Sequence, residues 1–520
     1  MTSETDTTMT KMNKGFLEWA EKTNLESYIQ ADEYVKDLRV IYDDAIEKLD
    51  GKILSHLSKI ETDEGLSLAE AKKWMSIKDS KKATDSLKQF IKQAEAFNLD
   101  PSLERELRMM SRRVRISYLQ SMELELKKSV AGLMNTEQKK LFAHLSKSYE
   151  NKYYKDLYGL SRIVREKPIT KVDKRTLDRL IRRQWCLDGK TVGDRLSYRQ
   201  AQNISNLKMA IGRSLATGLD QRETIKEVSK TLGRSFYSAS VLVHTETAAI
   251  IEQASMDAYK EYGIDQYQIS ATLDLRTSEI CQEMDGKVFK TKDKIQGVNY
   301  PPFHPNCRTT TVPYFDDAIQ REMEREVGRA SRDPVTGKTI RIHDDITYKK
   351  WYNKYVESNP KAMAKERAWK NRFSDKKQHA RYREVLGNKA PRSFTKFQNL
   401  KYTDNKSWDK IQDNYYVKSN INNGVFGTNI NNDLQKPHNY STRALNKSYL
   451  LENIDAQKLF NEYAGTGIVK KNRHGRTHIE ICIADKNIGY ARWAGKETNM
   501  FAIHHSKKRT HIVPYIEKGE

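Results

Sequence analysis

Proline is nearly missing from the first third of this chain. Between Gly15 and Leu160 it occurs once, at Pro101, and glycine is rare. Where helix breakers are this sparse, apolar periodicity decides the fold. Leu38, Ile41, Ala45, Leu49, Ile53 and Leu57 recur every three or four residues with Asp, Glu and Lys between them, which gives one apolar face to a long helix. Asp100-Pro101 reads as an N-cap followed by proline at the first helical position, with the stripe Leu103, Leu107, Met110 and Val114 behind it. Residues 1–150 are therefore expected to be a helical region packing its own core. Helices are expected to continue beyond it, broken at Trp185–Gly189 and at Gly218, with a last amphipathic helix over 238–262.

The grammar then changes. Tyr267-Gln-Ile-Ser-Ala-Thr272 and Thr309-Thr-Thr-Val312 are β-like runs, and turn formers crowd the residues between them. A small hairpin-rich module over about 266–315 is expected, packed on the helices. It contains Cys281, His304 and Cys307. Two sulfurs and an imidazole suit zinc, with Asp274, Asp285 or water as a fourth ligand. Simple packing under a loop stiffened by Pro301, Pro302 and Pro305 is the second reading, and a disulfide the third. Four cysteines in 520 residues do not make a secreted disulfide scaffold.

Residues 321–430 read as a basic helical or flexible linker. Tyr348, Trp351, Tyr352, Tyr355, Trp369, Phe373 and Tyr382 are interleaved with Lys and Arg, which suits phosphate contacts with base stacking, or equally a charged helix with packing anchors. The whole chain carries a net charge of +23, which favours a polyanionic partner. No apolar run spans a bilayer, so no membrane partner is expected. The polar Met1–Thr10 start lacks a signal core, and synthesis in a reducing bacterial cytoplasm is expected.

Six of the twelve histidines fall in the tail: His438, His474, His478, His504, His505 and His511. Arg473, Arg476, Lys507, Lys508, Arg509 and Glu480 accompany them. Metal-free RNA cleavage needs such an inventory: a base for the 2′-hydroxyl, an acid for the leaving oxygen, and cations for the phosphate.

Two resemblances add to this. Asp274-Leu-Arg-Thr-Ser278, Cys281, Asp285-Gly-Lys287 and Pro301-Pro-Phe-His-Pro-Asn-Cys-Arg308 stand in an order that resembles the Mu F-like minor head proteins of tailed bacteriophages. Arg183-Gln-Trp185, Asp188-Gly189, Arg195, Gly218 and His244-Thr-Glu246 precede them in the family's order, and a head domain over about 151–320 follows from this. The resemblance implies a virion protein near the portal vertex, acting in head assembly, DNA packaging or genome delivery. Its implied partners are the portal protein, phage DNA, and scaffold or major capsid protein.

The tail, 431–520, resembles a polymorphic-toxin family of ribonucleases with the barnase–EndoU–colicin–RelE fold. The blocks that carry this are Gln435-Lys-Pro-His438, Tyr463-Ala-Gly-Thr-Gly467, Glu480, Ile503-His-His-Ser-Lys507 and His511-Ile-Val-Pro514. This resemblance implies an α+β domain with an antiparallel sheet, an RNA substrate and no cofactor. In this reading His438 and His511 or His505 are acid and base, and Lys507 stabilises phosphate charge. Thr466 offers its hydroxyl or N–H to a phosphate oxygen, and Glu480 orients a histidine or acts as base. Arg473, Arg476, Lys508 and Arg509 contact the nucleic acid. A catalytically inactive nucleic-acid clamp, or a toxin that uses the head module as carrier, is the rival reading. The expected fold class is mainly α, multidomain, with the small β module and the α+β tail.

Overall fold

The apolar stripe of the first region forms the inner face of helix α1, Thr2–Thr62, in the computed structural model. Leu38, Leu49 and Ile53 are buried, and so is Tyr42, while Ile41 and Ala45 are partly covered. The structure describes residues 2–62, 118–162, 171–217, 221–315, 328–343 and 346–517. The expected helix start at Asp100-Pro101, with its stripe, and the break at Gly218 lie outside the described residues.

Helix α2 (Tyr118–Ser161), α3 (Lys174–Arg182), α4 (Val192–Thr217) and α5 (Gln221–Tyr262) complete the helical part, and α1, α2 and α5 pack on one another. The expected last helix is longer than its apolar signal, since α5 starts at Gln221. It ends where Gly263 takes a φ of +69°, a conformation glycine adopts without strain. Buried polar groups cross this core and fix its register. Lys152 pairs with Asp156 at 2.6 Å, both almost fully covered, and Arg199 pairs with Glu137 beside Tyr42. Glu252, with no exposed surface, accepts from Thr310 (2.5 Å) and Thr311 (2.9 Å) and so ties α5 to the sheet that follows.

That sheet is the expected hairpin-rich module. Strands β1 (Gln266–Ser270), β2 (Val288–Lys290) and β3 (Thr310–Tyr314) form an antiparallel sheet in the order β2-β1-β3. A hairpin of β4 (Arg329–Arg332) and β5 (Thr339–Ile342) joins it through a bridge from Leu273 to Ser331.

The chain divides into two units: Met1–Asp333 with Lys338–Tyr352, and Pro334–Gly337 with Asn353–Glu520. Of the stretch expected as a linker, residues 353–430 are largely helical and belong with the tail in the second unit. Helices Pro360–Lys370, Arg372–Leu386, Phe394–Thr403 and Asn405–Asn422 close over an aromatic core. Tyr382 stacks on Tyr415 at 4.1 Å and on Trp408 at 5.7 Å, and Phe397 meets Trp408 edge-on. Tyr348, Trp351 and Tyr382 are thus packing anchors, whereas Phe373 stays exposed. The physical reason is that the helical period brings these rings together, and burial of an aromatic stabilises more than solvated stacking does.

The tail is α+β as expected. Strands β7 (Ile468–Asn472), β8 (Gly475–Ile483), β11 (Met500–His504) and β12 (His511–Pro514) make an antiparallel sheet ordered β12-β11-β8-β7. Strands β6 (Tyr449–Leu450), β9 (Gly489–Ala491) and β10 (Lys496–Thr498) make a second, ordered β10-β9-β6. Helix Ala456–Tyr463 contributes Leu459 and Phe460 to the core formed with Cys482, Phe501, Ile503 and Ile512.

Candidate functional site

Alternation along a strand sends Phe501 and Ile503 into this core, so His505 follows them and His504 faces the other way. Register completes the arrangement. His504 lies directly opposite His511 in the β11–β12 pair, and their rings stack at 4.7 Å. His438, in a short turn at Lys436–His438, also stacks with His511, at 6.1 Å. His478 lies 6.3 Å from His504. Four imidazoles from four chain segments thus form one row: His438, His511, His504, His478.

Hydrogen bonds set the tautomers. His438 Nδ1 stands 2.6 Å from the Ser448 carbonyl oxygen, which only accepts, so Nδ1 carries the proton and Nε2 keeps its lone pair. His511 is held in the same sense by the Arg509 carbonyl at 3.2 Å. Burial pushes the His438 imidazole below its usual range. The Ser448 bond opposes this, and charge on His511 and Lys447 adds to the fall. His504 is pushed down to about 4 by burial, then by charge on His511, His478, His438 and Lys470. His504 is therefore neutral at pH 7. Lys470 also lies 4.2 Å over the Tyr515 ring. Beside His438, Tyr449 stacks on Tyr490 at 5.5 Å, and the Arg443 guanidinium covers Tyr440 and Tyr449 at 4.5 and 4.8 Å.

Glu480, His505 and Thr466 lie together on the core face of the sheet. Glu480 is fully buried and accepts the N–H groups of Gly465 (2.9 Å), Thr466 (2.9 Å) and Gly467 (2.7 Å). His505 Nε2 donates to it at 2.8 Å, and the His505 ring stacks on Phe426. Burial raises the Glu480 carboxyl, but the His505 hydrogen bond and charge and the Gly465 and Gly467 N–H groups outweigh it and hold it low. The Gly-Thr-Gly turn is thus an anion cradle already filled by the chain's own carboxylate. The Thr466 hydroxyl donates to the Tyr463 carbonyl. A side chain at Gly467 would strike the Ile481 carbonyl oxygen at 2.2 Å, which explains that glycine.

Arg476 is likewise engaged inside the fold. Its Nε donates to buried Asp413 at 2.6 Å, and Asp413 also accepts the Val469 N–H, which bolts helix Asn405–Asn422 to the sheet. Arg473 lies exposed in the β7–β8 turn, and Lys507, Lys508 and Arg509 lie exposed in the β11–β12 loop. The structure therefore brings His438 and His511 together and adds His504, His478 and Lys470, which sequence reasoning had not assigned to the site. For His504 the signal was present: strand parity, read from Phe501 and Ile503, separates it from His505. A cleft of about 360 Å³ nearby is lined by Asn439, Tyr440, Glu452, Asp455 and Gln457, among others, and by none of the histidines.

The central motif residues converge on closing their own module. Asp274 accepts from Arg308 at 2.6 and 2.8 Å, from the Arg276 N–H and from the Thr277 hydroxyl. Asp285 accepts from Arg329, from the Ala271 N–H (2.7 Å) and from the Tyr348 N–H (2.7 Å). Both expected fourth zinc ligands are therefore engaged elsewhere. The helical lead-in meets around Glu246, which accepts from Trp185 at 2.7 Å and lies 3.8 Å from Arg195. Burial pushes Glu246 up to about 7, against the Trp185 bond and the Arg195 charge.

Comparison with known proteins agrees with this division. Residues 205–312 match the family model of Phage Mu protein F like proteins, and residues 430–514 match that of Bacterial toxin 50. An uncharacterized protein of Haemophilus influenzae is 24% identical over 122 residues, 23% of this chain and 27% of that protein. The chain thus spans about a quarter of that relative's length. No solved structure matches it. One chain carries a phage-head family segment followed by a bacterial-toxin family segment.

Proposed function

We propose that this chain is a minor head protein of a phage particle, acting near the portal in head assembly or genome delivery, with a metal-independent endoribonuclease at its C-terminus. The observation that carries the enzymatic reading is the His438–His511 pair, with one lone pair on His438 fixed by the Ser448 carbonyl. His438 Nε2 takes the proton of an RNA 2′-hydroxyl. The 2′-oxygen attacks phosphorus and the P–O5′ bond breaks. His511, protonated at Nε2, returns a proton to the leaving 5′-oxygen. The products are a 2′,3′-cyclic phosphate and a 5′-hydroxyl. Lys470 supports the phosphate charge from beside His504, and Lys507, Lys508 and Arg509 contact the flanking backbone. Arg443 with Tyr440 and Tyr449 gives a base somewhere to stack.

The test is RNA cleavage by the full chain in EDTA, with a His438→Ala/His511→Ala control. Cleavage lost in the control supports the assignment. RNA bound but uncut by the wild-type chain would leave the tail a nucleic-acid clamp, and absence of the chain from purified particles would remove the head assignment.

A further inference from the structure

Cys281, His304 and Cys307 have no part in the chemistry above. Cys281 and Cys307 are 2% and 1% exposed, and their sulfurs stand 3.7 Å apart. Cys281 Sγ is 3.2 Å from His304 Nε2, and all three donor atoms lie within 4.8 Å of one another. Both cysteines are free thiols. Two thiolates held about 2.3 Å from a tetrahedral zinc ion would lie about 3.8 Å apart, whereas bonded sulfurs lie at about 2.05 Å.

The surrounding backbone prepares the donors. The Cys307 N–H donates to the His304 carbonyl at 3.2 Å, closing a turn in which Asn306 takes a φ of 58°. That turn brings two donors three residues apart to one side. His304 Nδ1 donates to the Pro305 carbonyl at 2.8 Å, which fixes the tautomer and leaves Nε2 with its lone pair toward the sulfurs. An outer hydrogen bond of this kind orients most metal-bound imidazoles. The loop is held independently of the donors, by the Asn306 N–H on Thr245 (3.1 Å) and by Arg308 on Asp274. With both sulfurs covered, a role as solvent-accessible nucleophile is excluded.

We propose that Cys281, His304 and Cys307 bind one Zn²⁺ ion, with water at the fourth position, and that the ion clamps the 301–308 loop onto helix Glu279–Met284. Among the described residues no further Cys, His, Asp or Glu joins the three. The site is independent of the ribonuclease reading.

The test is metal analysis of the full chain, purified without chelators or metal resins. About one zinc per chain is expected, and below about 0.2 in Cys281→Ser/Cys307→Ser. Because that variant can lose its fold, wild-type protein stripped of metal is also reloaded with Co²⁺. Thiolate-to-cobalt charge transfer and the intense bands of tetrahedral cobalt are expected. Wild-type protein with less than about 0.2 zinc and no such bands overturns the proposal. So does a thiol count in denaturant, before reduction, that falls two short of the four cysteines.

Discussion

The central module and the tail's histidine row are both dense in polar side chains, but they use them in opposite ways. In the module, Asp274 and Asp285 each take a guanidinium and further N–H or O–H donors. These two carboxylates are satisfied from within, and their product is a closed loop. In the row, the carboxylate that pairs with a tail histidine is Glu480, and it pairs with His505, on the core face. His438, His504 and His511 face one another and a lysine. Satisfied polar groups build a fold. Groups held in place with a lone pair left over do chemistry.

The sharpest way to break this comparison is to truncate each region and read both activity and stability. His438→Ala is expected to lower RNA cleavage by ~100-fold or more while the folded state persists, as seen by circular dichroism. Full cleavage by this variant would end the assignment. Asp285→Ala removes the carboxylate that pairs with the buried Arg329 and should cost the first unit about 3–5 kcal/mol in urea unfolding, with cleavage by the folded chain unchanged.

A pH series sharpens the contrast further. Burial raises Glu246 and Glu252 to about 7. Raised carboxyls bind more protons when folded, so their contribution is complete below the unfolded value near 4.5 and is lost as pH rises toward 7 and beyond. His504, lowered to about 4, acts oppositely: its contribution is present above about 6.5 and is lost as pH falls toward 4. In the first unit His144, pushed down to about 4 by burial, opposes the two carboxyls, so the second unit gives the clear signal: its melting transition is expected to rise between pH 4.5 and 6.5 in calorimetry, and a fall would refute this account. The smallest effect separates the arginines. Arg476→Ala should destabilise the second unit by about 1–3 kcal/mol with little change in the salt dependence of RNA binding. Lys508→Ala/Arg509→Ala should leave stability alone and reduce that salt slope by about 1–2.

Much of the architecture was legible in the residues. Sparse breakers and three-to-four spacing gave the long helices. β-branched runs between turn formers gave the module, and the tail's motif blocks gave an antiparallel sheet. The folding of 353–430 was less legible, because basic side chains mask the aromatic anchors Tyr382, Phe397, Trp408 and Tyr415 in any average over the segment.

The sequence by itself determined which residue types the site has available and, through strand alternation, that His504 and His505 must part. Which face gathers the imidazoles was decided only in three dimensions. Register set His504 against His511, a turn from elsewhere in the chain brought His438 beside them, and the Gly-Thr-Gly cradle closed on Glu480. A side chain's chemistry is local, but whether its lone pair or charge is already satisfied depends on partners that only the folded chain brings near.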